Sequence, residues 1–127
     1  MGQEIYPNGI YEILTRLKDN YGNPPVMITE NGASFADPPV QDGRIEDTNR
    51  IGYLREYLRQ ISRAIQEGCD ARGYFAWSLT DNFEWSEGFS QHFGLVKVNF
   101  ETQKRTIKES GYWYRDLIQS KGRPYND

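Results

Sequence analysis

The sequence predicts an α/β fold and, within that class, a piece of a larger parallel barrel that is incomplete on its own. Three observations carry this. Two strand-like apolar runs, residues 26–29 (VMIT) and 73–79 (GYFAWSL), are separated by a long helical pattern. The second run is apolar nearly throughout, as a strand buried on both faces of a parallel sheet would be. The first runs straight into Glu30 and the turn pair Asn31-Gly32. That places a carboxylate at the C-terminal mouth of a strand, where α/β barrels keep their chemistry.

Each element has its own signals. Asn8 reads as the N-cap of a helix to about residue 20, with Ile10, Ile13, Leu14 and Leu17 on one face and Gly22 as the stop. Pro24 and Pro25 isolate the first strand. A polar loop over 33–46 holds Pro38-Pro39 and the turn pair Asp42-Gly43. Asp47 or Thr48 caps the next helix, where Ile51, Leu54, Leu58, Ile61 and Ile65 recur at helical spacing before Gly68. After the second strand comes the acidic, aromatic loop TDNFEWSEGF (80–89). Residues 95–100 (LVKVNF) alternate apolar and polar, predicting a short strand with one wet side. A last helix is expected over 108–120, packing Tyr112, Trp113, Leu117 and Ile118, with a polar, frayed tail over 121–127.

A strand–helix–strand unit of this kind needs a right-handed crossover. Two parallel strands leave both outer edges unpaired, and one helix cannot cover both faces. The chain is therefore read as one incomplete domain over residues 1–127, with no repeat or linker.

Composition excludes several classes. The net charge is −3 and the Lys and Arg residues are scattered among acids, so no basic stripe marks a nucleic-acid partner. No apolar run approaches the roughly 20 residues of a membrane helix, and no charged segment followed by an apolar stretch opens the chain. A soluble, cytoplasmic protein is favoured, its compartment otherwise unknown. One cysteine, Cys69, cannot form an internal disulfide and reads as a small buried filler. No His/Cys/Asp cluster has metal-ligand spacing, so neither metal nor cofactor is expected.

Aromatics are plentiful: three Trp, nine Tyr and six Phe. Core filling explains some, and Tyr57 and Tyr112 sit on helical patterns as packing residues. Trp77 and Trp85 instead flank a loop beside acids, where sugar rings could lay their C–H faces on aromatic planes. Glu30 could be an ordinary surface carboxylate. At a strand tip it can instead attack an anomeric carbon and form a glycosyl ester, which requires a second carboxylic acid about 5 Å away to protonate the leaving oxygen.

The segments ITENG, DGRIEDTNRIGYL, AIQEG, GYFAWSLTDNFEW and FGLVKVNFETQKRTIKES, in this order and over essentially the whole chain, closely resemble the C-terminal part of glycoside hydrolase family 1, the β-glucosidase family. The resemblance implies a (β/α)8 TIM barrel with this segment as its last two βα units. It implies a retaining β-glycosidase of the β-glucosidase type, acting on a β-glucoside or oligosaccharide. Glu30 matches the nucleophile. Trp77 matches the platform under the sugar, Glu84 the acid that accepts from two hydroxyls, Trp85 an indole N–H donor, and Phe93 an aromatic lining residue.

Other residues read more plainly. Asp81 fixes the loop by capping backbone amides, Glu87 faces solvent and His92 is a loop residue where the family often has arginine. Arg44, Arg50 and Arg105 hold ion pairs or loops. Gln3, Asn99 and Ala71 depart from the family's usual residues. The family's Asn-Glu-Pro acid/base motif does not occur in these residues, so the chain alone is expected to be inactive. An N-terminal barrel segment as a second chain, or self-association, would complete it. Met1 beside family-like sequence suggests an excised or split segment. Two rival readings are a non-catalytic carbohydrate-binding chain and a barrel-complementing or oligomerising fragment.

Overall fold

The computed structural model describes residue 2 and residues 4–122. In chain order the elements are α1 (Asn8–Tyr21), β1 (Val26–Asn31), α2 (Thr48–Gln66), β2 (Ala71–Ala76), a 3-10 turn (Trp85–Glu87), β3 (Val96–Val98), β4 (Arg105–Ile107) and α3 (Glu109–Gln119). The described residues form two compact units, one within Met1–Ala33 and Gly52–Trp77, the other within Ser34–Ile51 and Ser78–Asp127.

In the first unit α1 and α2 cover one face of the β1–β2 pair. Leu14, Ile61, Ala64 and Cys69 form the core, with Ile10, Tyr11, Leu58, Val26, Ile28, Ala71 and Tyr74 packed against it. Cys69 is the buried filler expected of it. The expected apolar stripes are narrower in fact, since Ile13 and Ile65 are exposed. Asn8 does not cap α1: the helix starts at Asn8 with Pro7 before it, and no side chain caps it. The free N–H groups of Gly9 and Ile10 are taken instead by the carbonyls of Tyr6 and Pro7, leaving the Asn8 amide to bond Glu12. Gly22 ends the helix in the left-handed region, at φ 73°, with its N–H on the Leu17 carbonyl.

β1 and β2 are parallel, pairing Val26 with Ala71, Met27 with Gly73, Ile28 with Tyr74 and Asn31 with Ala76. The register slips twice. β2 carries one extra residue between the first two pairs, and β1 carries one extra between the last two. The offsets oppose each other, so the strands begin and end in step.

The apolar run expected as one strand over 73–79 is divided. β2 begins two residues earlier and stops at Ala76. Ser78 and Leu79 belong to the second unit, where Ser78 N–H donates to Phe93 O (3.2 Å) and Leu79 O accepts from Val96 N–H (2.9 Å).

The second unit holds the β3–β4 hairpin, antiparallel with Val96 opposite Ile107 and Val98 opposite Arg105. β4 has no counterpart among the expected elements, because three residues (RTI) are too few to show a period. Asn99 closes the hairpin, its Oδ1 accepting from the N–H groups of Glu101 (3.0 Å) and Thr102 (2.8 Å). On α3, Tyr112 and Ile118, expected to pack, are exposed, and Arg115 lies over the Tyr112 ring at 5.3 Å. Of the tail, Lys121 and Gly122 sit in a turn bonded to Ile118 O and Leu117 O; residues 123–127, like Gln3, lie outside the described residues. No described helix is long and apolar enough to cross a membrane.

Candidate functional site

In the first unit, Glu30 stands exposed one residue before the end of β1. Simple strand alternation would not put it there. Val26 and Ile28 pack on the core, and a residue two further along belongs to the same face. The extra residue between Ile28 and Asn31 breaks that parity: Thr29 and Glu30 are both exposed and Asn31 is half-buried. A bulge next to a functional group, re-aiming its side chain, is a recurrent use of this irregularity.

The turn after Glu30 is tightly built. Trp77 N–H donates to Asn31 O at 2.8 Å. Tyr74 Oη donates to Asn31 Oδ1 at 2.8 Å. Gly32 is required by space: a Cβ there would lie 1.8 Å from the Trp77 carbonyl oxygen. The Trp77 side chain is 39% exposed. Buried Tyr53 also bonds Asn31, and burial, more than its contacts, pushes its phenol well above the ordinary 10.

In the second unit the loop over residues 80–91 is shaped around small polar anchors. Ser78 Oγ donates to Thr80 O (2.7 Å) and lies 3.0 Å from Asn82 Oδ1. Glu84 N–H donates to Gly88 O (2.6 Å), and Gly88 N–H donates to Trp85 O (3.1 Å). This tight loop puts Trp85 in the left-handed region, at φ 42°, and leaves its side chain 82% exposed. Glu84 is half-buried and Glu87 exposed. Phe93 is buried, at 6% exposure, so it offers no open aromatic face in this unit. Phe89 packs against Phe83 (5.5 Å between centroids) and Phe100 (4.2 Å).

Beneath that loop lies a charged cluster that sequence reasoning missed. Lys108 is fully buried, with Nζ 2.9 Å from Asp37 Oδ1 and 3.1 Å from Asp81 Oδ1. His92 Nδ1 lies 3.4 Å from Asp81 Oδ2 and 3.9 Å from Asp37 Oδ2, so His92 is more than a loop residue. Asp81 also accepts from Gly94 N–H at 2.9 Å, the amide cap expected of it. Arg50, 2% exposed, donates to Asp47 Oδ2 (3.0 Å), Phe93 O (3.0 Å) and His92 O (2.7 Å). It holds the loop, as expected. Asp47 in turn accepts from the Ser110 N–H at 2.8 Å.

Asp37, Asp81 and His92 bring three donor atoms within 4.8 Å of one another. Lys108 and Arg50 already supply two positive charges beside these carboxylates, so the group is built as an ion-pair network. The one sequence signal for it is a lysine opening a helix. Burial there demands a partner, yet an exposed lysine at that place reads the same.

Comparison with known proteins agrees with the geometry. The chain is 54% identical over 122 residues to β-glucosidase A of Thermotoga maritima, covering 96% of this chain and 27% of that protein. It is 47% identical over 118 residues to a 6-phospho-β-galactosidase of Streptococcus equi subsp. zooepidemicus, covering 92% and 25%. The solved structure of the family 1 β-glucosidase from T. maritima superposes with a TM-score of 0.93 at 53% identity, over 98% of this chain and 28% of that one. That enzyme has also been solved in complex with isofagomine lactam and with deoxynojirimycin. The chain thus spans about a quarter of the length of these relatives, and its fold is the matching portion of their TIM barrel. The model of glycosyl hydrolase family 1 matches residues 1–123, and the chain belongs to that family.

Proposed function

We propose that this chain is the C-terminal segment, the last two βα units, of a retaining β-glycosidase that removes terminal β-D-glucosyl residues through a covalent glycosyl-enzyme intermediate. The observation that carries the reading is Glu30, exposed at the C-terminal end of a parallel strand and turned to its open face by a bulge.

In this proposal the Glu30 carboxylate attacks the anomeric carbon. The C–O bond to the leaving group breaks as the acid/base residue protonates that oxygen. Water, deprotonated by the same residue, then hydrolyses the ester. Trp77 lies under the sugar's apolar face, and its exposed ring suits that role. Glu84 accepts from sugar hydroxyls, as a carboxylate with two oxygens can, and the Trp85 indole N–H donates to another. The burial of Phe93 favours a supporting role beneath that loop. An acid at Glu84 would repel a 6-phosphate, which favours unphosphorylated sugars.

The acid/base carboxylate comes from sequence outside these residues, either an N-terminal barrel segment on a second chain or the remainder of one polypeptide. The test joins the 127 residues to that remainder and assays an aryl β-glucoside with a good leaving group. Activity lost in Glu30→Ala and partly restored by azide supports the reading; a formed complex with no hydrolysis refutes it.

A further inference from the structure

We propose that Asn31, gripped between Tyr74 and Tyr53, is a positioning residue that aims Glu30. The inference rests on Glu30 being the nucleophile, as proposed above, and adds how its direction is set.

The argument is one of parity. In extended chain, neighbouring side chains point to opposite faces. Ile28 is fixed on the helix-covered face by the core. A regular strand would carry Glu30 to that same face and Asn31 to the open one. The bulge between Ile28 and Asn31 reverses this, and something must make the reversed arrangement the stable one.

The Asn31 side chain supplies that preference. Its Oδ1 accepts from Tyr74 Oη at 2.8 Å, in a half-buried setting. The same side chain interacts with the phenol of Tyr53, which is 8% exposed.

Tyr53 is itself braced. Its ring lies 4.4 Å from that of Tyr57, and the Tyr57 hydroxyl accepts from Tyr6 N–H at 3.2 Å. The Asn31 backbone is pinned by Trp77 N–H, and Gly32 leaves no room for a Cβ beside the Trp77 carbonyl. A side chain bonded to Tyr74 and set against buried Tyr53 cannot rotate to the open face without leaving those groups without it. With Asn31 locked inward, Glu30 must point outward.

The test uses the complete barrel carrying this segment and compares Tyr74→Phe in two backgrounds. With Glu30 present, Tyr74→Phe is expected to lower kcat on an aryl β-glucoside roughly ten- to a hundredfold, with KM little changed, the scale a small misplacement of a reacting group costs. In the Glu30→Ala background at saturating azide, the nucleophile is free in solution and needs no aiming, so Tyr74→Phe should leave the rescued rate unchanged. Tyr53→Phe should repeat the pattern, which keeps the test usable if one variant does not fold.

An equal loss in both backgrounds would mean general damage to the site and overturn the proposal, as would an unchanged kcat with Glu30 present. Failure of azide to restore any activity to Glu30→Ala would instead remove the nucleophile reading, and the aiming role with it.

Discussion

Arg50 donates through Nη1 to the carbonyl oxygen of Phe93 at 3.0 Å. Around that bond the same guanidinium reaches the adjacent carbonyl of His92 and the carboxylate of Asp47. Three acceptors at different angles need a rigid fork of donors, which arginine has and lysine lacks. Arg50→Leu leaves Asp47 buried without its charge partner and should cost about 3–5 kcal/mol. Arg50→Lys should recover only part of that. Urea unfolding midpoints of the three proteins give the comparison.

Lys108 carries the second prediction. It is fully buried between Asp37 and Asp81. Lys108→Met should destabilise by about 3–5 kcal/mol as well, because it removes the buried cation that Asp37 and Asp81 share. Adding Asp37→Asn to Lys108→Met should then cost less than Asp37→Asn costs alone. Additive losses in that double-mutant cycle would show that Lys108 and Asp37 are not coupled.

Gly32→Ala should be severe for a steric reason. The new methyl would fall 1.8 Å from the Trp77 carbonyl oxygen, and that backbone is tied to Asn31. The strand end must open, at a cost of about 1–3 kcal/mol or more. In the complete barrel, activity should fall further than the melting temperature alone explains. Wild-type kcat in Gly32→Ala would contradict this.

Trp85→Ala should do the reverse. With its side chain 82% exposed, its removal should change stability by no more than about 0.5 kcal/mol. As a proposed hydroxyl donor it should raise KM for glucosides. An unchanged KM would remove Trp85 from the sugar site.

The acid limb of stability offers a further check. Two hydrogen bonds from Arg44 to the Glu109 carboxylate hold it below its ordinary 4.5, against a smaller opposing effect of burial. A depressed carboxyl binds fewer protons in the folded chain than in the unfolded one. Its stabilisation is therefore complete above about pH 4.5 and is lost as pH falls through the lowered value. Glu109→Gln should flatten that part of the stability curve by removing the same increment at neutral pH, a small one since Arg44 is largely exposed. Equal acid slopes in the two proteins would rule the pair out.

Much of the fold is legible in the sequence because it rests on local signals. Gly22 and Gly68 stop their helices, and the apolar run before Glu30 becomes β1. What escapes depends on partners far away in sequence. Asn8 has the chemistry of an N-cap, but the Tyr6 and Pro7 carbonyls take the amides first. The run over 73–79 reads as one strand because periodicity cannot show that Ser78 and Leu79 bond to residues 93 and 96. Lys108 looks like any lysine beside a helix start until Asp37 and Asp81 are seen around it. Glu30 does stand exposed at a strand end, as its place before Asn-Gly suggests, but alternation alone would have turned it inward.

The paired slips of β1 and β2 act as a vernier. One strand gains a residue near its start and the other gains one near its end, so lengths agree while the middle runs out of step. The direction of Glu30 is therefore a matter of odd or even count, and chemical preference at position 30 does not set it. Deleting Thr29 would take out the extra residue, and plain alternation from Ile28 would still keep the carboxylate on the open face. What the bulge sets is the spacing at which a fixed Ile28 and a fixed Asn31 both face inward.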